Sequence, residues 1–282
     1  MVNDKMVNDK MDLLSTDAAL KAVIMDVAEV AGHIWVKGWG ERNGGNITVR
    51  LTGFATPEWA AMPALSDRIA IGCELPHLKG HYFYAKGTQK RMRDLARDPM
   101  ANGSVIRICD DCAHYEIIAD SAVMPTSELP SHLMVQNYLL ESGSRYKATL
   151  HTHPIQLVAM SHLPRFKDSG TMTHTLWSMI PETLAFAPLG IGWVPYEVPG
   201  SLELAKATLA KIHDYDVAMW EKHGVFAVGQ DIMDAFDQVD VLNKAADIYM
   251  CARNMGGEPE GLTGKDMKDV QTIFHLPTQR PC

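Results

Sequence analysis

The chain has 282 residues and 31.2 kDa, with 46% hydrophobic and 21% charged residues, the balance of a globular domain with a full core and not of a disordered or fibrous chain. Its 26 basic and 34 acidic side chains leave a formal net charge of -8, which argues against nucleic acid and membrane surfaces as main partners but leaves room for a small anionic substrate in a locally positive site. Five cysteines, an odd number, point to a reducing compartment, and neither a run of about 18 apolar residues nor a signal-peptide core is present. The cytoplasm is the expected location.

Residues 1–10 repeat MVNDK twice, and a flexible N-terminal segment over 1–14 is expected before a single domain over 15–282. Leu20, Val23, Ile24, Val27, Val30, Ala31, Ile34 and Trp35 recur at helical spacing, so a helix is predicted over about 16–37 with Ser15 or Thr16 as its cap. Asn43-Gly44-Gly45-Asn46 breaks that pattern, and 47–51 reads as a strand. Residues 52–80 are rich in Pro and Gly and carry no clear signal. Strands are predicted over 81–85, 104–109 and 113–119, and a helix after Pro130. A strand carrying His151 and His153 comes next, then a helix that takes Pro154 into its first turn. One or two strands over 184–198, a helix over 201–220, a strand at His223 and a helix over 232–255 follow; 256–282 give no signal. Hairpin-like strands mixed with helices, and no GxGxxG after a strand, predict an α/β fold with a sheet sandwiched by helices, not a dinucleotide-binding fold.

His151 and His153 are two residues apart on a predicted strand, so their side chains share a face. A third imidazole, His223, on a neighbouring strand completes three ligands with an open position, the pattern of a catalytic metal. With twelve histidines in the chain, spacing alone leaves packed histidines as the other reading. Glu128 lies between two prolines in Pro125-Thr126-Ser127-Glu128-Leu129-Pro130, which serves either as a fixed carboxylate beside an anion site or as an ordinary helix cap. Asn43-Gly44-Gly45-Asn46, and more weakly Gly87-Thr88-Gln89-Lys90, suit either a phosphate-binding loop or a plain turn. Cys109 and Cys112 have no second CxxC to complete a zinc ribbon, and Asp110-Asp111 between them reads as a hairpin turn. A cupin-type barrel also uses His-x-His, but it needs a glutamate shortly afterwards, and 154–161 contain no acidic residue.

Together these segments resemble the class II aldolase/adducin family. The resemblance rests on Lys37-Gly38-Trp39, Glu41-Arg42-Asn43-Gly44-Gly45-Asn46-Ile47-Thr48, Pro125-Thr126-Ser127-Glu128-Leu129-Pro130-Ser131-His132, His151-Thr152-His153, Leu176-Trp177, Glu182, Val198-Pro199-Gly200 and His223-Gly224-Val225, in order from about residue 20 to 255. It implies a single domain with a central, mostly antiparallel sheet flanked by helices. It also implies one Zn2+ per subunit on His151, His153 and His223, with Glu128 as the catalytic carboxylate. Asn43, Asn46, Thr88 and Ser127 would hold a substrate phosphate, with Gly45 close to the ketose. Glu182 would be a catalytic carboxylate reaching the site of a neighbouring subunit in a homotetramer. The implied activity is retro-aldol cleavage of a sugar phosphate, expected to be L-rhamnulose 1-phosphate, to dihydroxyacetone phosphate and L-lactaldehyde in L-rhamnose breakdown. Alternatives within the family are cleavage of L-fuculose 1-phosphate, epimerisation of L-ribulose 5-phosphate, and a non-catalytic adducin-like scaffold. Two positions depart from the pattern: Thr152 stands where a cysteine is expected, and Gln89 where a glycine is expected.

Overall fold

Nine strands form one sheet in the order β2-β5-β4-β3-β1-β6-β9-β8-β7. They are β1 (Asn46–Arg50), β2 (Ile69–Ala70), β3 (Tyr82–Lys86), β4 (Gly103–Ile108), β5 (His114–Ala119), β6 (Ala148–Thr152), β7 (Ile191–Val194), β8 (Val217–Trp220) and β9 (Gly224–Gly229). Every neighbouring pair is antiparallel except β7 with β8. This computed structural model describes residues 13–119 and 121–277. The repeated N-terminal segment and Cys282 therefore lie outside the described residues, and the other four cysteines are free.

Alternation along the strands explains the sandwich. Ile47, Val49, Ala148, Leu150, Val217, Met219, Val225 and Ala227 join one large core, together with the buried stripes of helices Ala18–Val36 and Ile232–Asn254. The intervening residues face the other side. Phe83, Ala85, Ile106 and Ile108 pack under helix Leu129–Glu141, and Ala218, Trp220, Phe226 and Val228 under both that helix and Leu202–Ile212. Strands β6 to β9 are thus buried on both faces, which accounts for their largely apolar composition, whereas the edge strand β2 is not. No helix of the described residues is long and apolar enough to cross a membrane.

Several boundaries differ from the sequence reading. The first long helix begins at Ala18, and Asp17 caps it by accepting from the amides of Ala19 and Leu20, in place of Ser15 or Thr16. Leu13 already packs in the core within a short helix, Leu13–Thr16, so order begins inside the segment expected to be flexible. Pro154 is the residue before helix Ile155–Ser161, not part of its first turn. The stretch read as strand from 184 begins instead as helix Pro181–Phe186, because Pro181 pre-sets the first helical turn; only Ile191–Val194 is extended. The helix predicted over 201–220 stops at Ile212, and the fully buried Val217–Trp220 pairs with strands on both sides. Two further helices lie outside the sequence reading: Ser169–Trp177, capped by Asp168, and Gly264–Ile273, which starts from a Thr263/Asp266 capping box.

Trp220 links core to site. Its indole N–H donates to Thr208 Oγ1 at 2.8 Å, and its ring lies 4.3 Å from that of His151. Thr208→Val would leave that buried donor unpartnered at a loss of about 1–3 kcal/mol. Urea unfolding monitored by tryptophan fluorescence should show this as a lower midpoint with an unchanged slope.

Candidate active site

β6 and β9 are paired with His151 opposite Phe226, and the chain leaves β6 at Thr152. His153 follows immediately, its amide donating to Trp39 O at 2.9 Å. The Thr152 hydroxyl donates to the same carbonyl at 2.8 Å, so a threonine serves well at the position where a cysteine was expected. His223 sits in the tight turn between β8 and β9, where Lys222 takes a positive φ of 58°. The three rings meet with centroids 4.7, 4.9 and 5.2 Å apart, and one nitrogen from each lies within 4.8 Å of the others. These residues could hold a metal ion.

The outer nitrogens decide how the inner ones behave. His151 Nδ1 is 2.9 Å from Val225 O, and His153 Nδ1 is 2.7 Å from Glu41 Oε1. A carbonyl and a carboxylate only accept, so both Nδ1 atoms carry a proton, and in the neutral rings that can bind a metal both Nε2 atoms present lone pairs. Those two Nε2 atoms are 3.1 Å apart. Two lone pairs held face to face repel unless a cation lies between them, so the donor set fits a divalent metal. Burial and the neighbouring imidazoles hold His151 well below the usual histidine range, and burial with His153 lowers His223 to about 4. Both are therefore neutral near pH 7, the ligating form.

Glu128 closes one side. Its carboxylate is 3.5 Å from His151 Nε2 and 3.6 Å from His223 Nε2, and accepts from Asn46 Nδ2 at 2.7 Å. It precedes helix Leu129–Glu141 but makes no side-chain cap, and its own amide is held by the Thr126 hydroxyl. The carboxylate is thus free for the site instead of being used as a cap. The turn carrying it is stitched to the end of β3, with Thr126 N to Lys86 O at 3.0 Å and Thr88 N to Met124 O at 2.7 Å. Burial raises Glu128 to about 7, against the opposing pull of Lys86.

A cavity of about 370 Å³ opens in front of the histidines. Asn43, Gly45, Asn46, Thr88 and Ser127 all line it, as the sequence reading expected. Gly45 needs its positive φ of 75°, and a Cβ there would lie 3.0 Å from His151 O. Gln89 also lines the cavity, with φ 59°. It thus adopts the conformation that would favour a glycine, at a strain of about 1 kcal/mol.

Two lining residues were missed. Lys86, not Lys90, supplies a cation: it is 2% exposed, with its ammonium donating to Asn43 O at 3.1 Å. Desolvation lowers it to about 8, partly offset by Glu128. The available signal was a charged residue ending the apolar run Tyr82-Phe83-Tyr84-Ala85. Glu41 was seen only as part of a motif, whereas it orients His153. Glu182 is not brought to this cavity; it is exposed and lines a separate one with Lys37 and Phe186.

The Class II Aldolase and Adducin N-terminal domain matches residues 25–250. The chain belongs to this family. Among its relatives, a rhamnulose-1-phosphate aldolase of Bacteroides thetaiotaomicron is 60% identical over 94% of this chain and 98% of its own. One from Klebsiella pneumoniae is 31% identical over 90% of this chain and 93% of its own. The crystal structure of a sugar-phosphate aldolase from Thermotoga maritima superposes with a TM-score of 0.75 at 33% identity, covering 86% of this chain and all (100%) of that one. In this member of the family, Gly224 is the position that lets the imidazoles approach. A Cβ there would lie 2.5 Å from Thr152 O, 2.7 Å from His153 Cδ2 and 2.9 Å from His151 Cε1. Gly224→Ala should therefore weaken divalent-metal binding by about tenfold or more while leaving circular dichroism unchanged, as metal titration against a chelator dye would show.

Proposed function

We propose that this chain is a metal-dependent aldolase that reversibly cleaves L-rhamnulose 1-phosphate to dihydroxyacetone phosphate and L-lactaldehyde, within L-rhamnose breakdown in the cytoplasm. The observation that carries the reading is the convergence of three imidazoles and Glu128 at the base of a cavity that also holds a buried cation, Lys86. The 60% identity to a protein of that activity supports the choice of sugar phosphate.

His151, His153 and His223 would hold one zinc ion per chain. When bound, the ion supplies Lewis-acid stabilisation of the negative charge that develops beside the substrate carbonyl as the carbon–carbon bond breaks. Glu128 moves the proton. In the condensation direction it takes a proton from the carbon of dihydroxyacetone phosphate next to the carbonyl, and in cleavage it returns it. Burial raises this carboxyl in the metal-free chain to about 7, and a cation bound beside it would draw it back towards the charged form that can take the proton. Asn43, Asn46, Thr88 and Ser127, which line the cavity, would surround the phosphate, with Gly45 close to the ketose and the Lys86 ammonium adding positive charge there. The phosphate is remote from the bond being broken, so its binding energy fixes the orientation of the reacting end.

Glu182 is proposed to enter the cavity of a neighbouring copy in a homotetramer and to contact the aldehyde end. Its own surroundings support this: Phe186 and Val36 nearby in the fold expose 62% and 83% of their surfaces, apolar area suited to a partner subunit.

The test is cleavage of L-rhamnulose 1-phosphate and L-fuculose 1-phosphate side by side, with coupled detection of dihydroxyacetone phosphate. Preference for the first is expected, and no cleavage of either by metal-loaded protein would overturn the reading. Glu128→Gln should keep its metal and its affinity for inorganic phosphate yet lose turnover by about 10²–10⁴-fold. Lys86→Met should instead raise KM and flatten its dependence on ionic strength, because a charge that attracts the phosphate has been removed.

A further inference from the structure

His132 takes no part in the reaction proposed above, yet it lies directly behind it. It is fully buried in the first turn of helix Leu129–Glu141. One ring nitrogen, Nδ1, is 2.7 Å from Thr149 Oγ1, and the other, Nε2, is 3.2 Å from Asn46 Oδ1. Asn46 Oδ1 also accepts from the Thr126 hydroxyl at 3.2 Å, while Asn46 Nδ2 donates to Glu128 Oε2 at 2.7 Å.

The directions of these bonds are forced. In its ionised form the Glu128 carboxylate only accepts, so in that state Asn46 must turn its NH2 towards Glu128 and its oxygen towards His132. An amide oxygen only accepts, so His132 Nε2 must carry a proton. Burial lowers His132 to about 3, so the ring is neutral and has one proton to place. Nδ1 is then a bare acceptor, filled by the Thr149 hydroxyl. That hydroxyl also lies 3.3 Å from Thr48 O, but its single proton belongs to the shorter contact.

We infer that His132 is a positioning residue: with Thr149 behind it, it locks the Asn46 amide in the one orientation that donates to Glu128. Without the Nε2 proton, the amide oxygen faces a lone pair and the amide can turn over. Glu128 then meets an oxygen in place of an N–H, and a carboxylate misplaced by a fraction of an ångström transfers protons poorly. The relay runs across three elements, from β6 through the helix to β1, so the proton-transferring group is fixed by the sheet itself.

Two substitutions separate this role from simple packing. The side-chain nitrogen of glutamine reaches the place of imidazole Nε2; that of asparagine reaches only the place of Nδ1. His132→Gln should therefore keep turnover within about threefold of the parent. His132→Asn should lose about 10- to 100-fold in kcat with KM nearly unchanged, and both should retain full metal content. Thr149→Val should lower kcat in the parent and add nothing to His132→Asn. Equal losses in the glutamine and asparagine variants, or losses that follow thermal stability alone, would overturn the inference. These kinetics rest on the proposed aldolase reading, so a second measurement stands apart from it. The nitrogen chemical shifts of His132 in the full-length protein should report the Nε2–H tautomer; the Nδ1–H tautomer would refute the relay whatever the reaction is.

Discussion

The contact on which this structure turns is repulsive whenever both of its rings are neutral. His151 Nε2 and His153 Nε2 are held 3.1 Å apart with their lone pairs facing, because Val225 O and Glu41 hold the protons on the far side of each ring. The β6–β9 register, the loop tied to Trp39 and the bare backbone at Gly224 all serve this approach. Such convergence opposes folding unless something positive relieves it, and a divalent cation on His151, His153 and His223 is the relief that these donors suit. Metal affinity and local stability are then two readings of the same geometry.

Charge around the site follows from the same lack of solvent. Lys86 and Glu128 are buried in one cavity, and desolvation pushes each towards its neutral form while each draws the other back towards charge. The pair is therefore poised near neutral pH and not locked as a salt bridge. In the proposed reaction a phosphate on the Asn43, Thr88 and Ser127 side would meet a cation, and a proton on carbon would meet a base. The buried polar groups that hold Glu128 in place, Asn46, Thr126 and His132, are each satisfied by one another, as groups under a nine-stranded sheet must be.

Much of this was legible in the sequence where one residue carries one unambiguous constraint. The period of Leu20, Ile24, Val27, Ala31 and Ile34 gave the first long helix, and His151, His153 and His223 could be grouped because strand alternation and a shared motif agreed. The sheet's mostly antiparallel order came with the family resemblance and holds here. What stayed hidden has physical causes. Val217–Trp220 was read as the end of a helix because a strand buried on both faces has no alternation to display. Helix Gly264–Ile273 was not read although Met267, Val270 and Phe274 recur at helical spacing and a Thr263/Asp266 capping box starts it; its signal is short and set among polar residues. Lys86 passed unnoticed because burial, which makes it chemically useful, is a property of the folded sheet and not of a lysine in a list of lysines. Glu182 sits apart from the histidines within one chain, in a separate cavity.

The central claim is that three imidazole nitrogens of one chain bind a single divalent ion. X-ray absorption at the zinc edge of the purified, zinc-loaded protein tests it most directly. The account predicts one ion per chain with three imidazole nitrogens in its coordination shell and the remaining positions filled by oxygen. A shell with no histidine, or a chelator-stripped protein that retains full aldol cleavage, would contradict it.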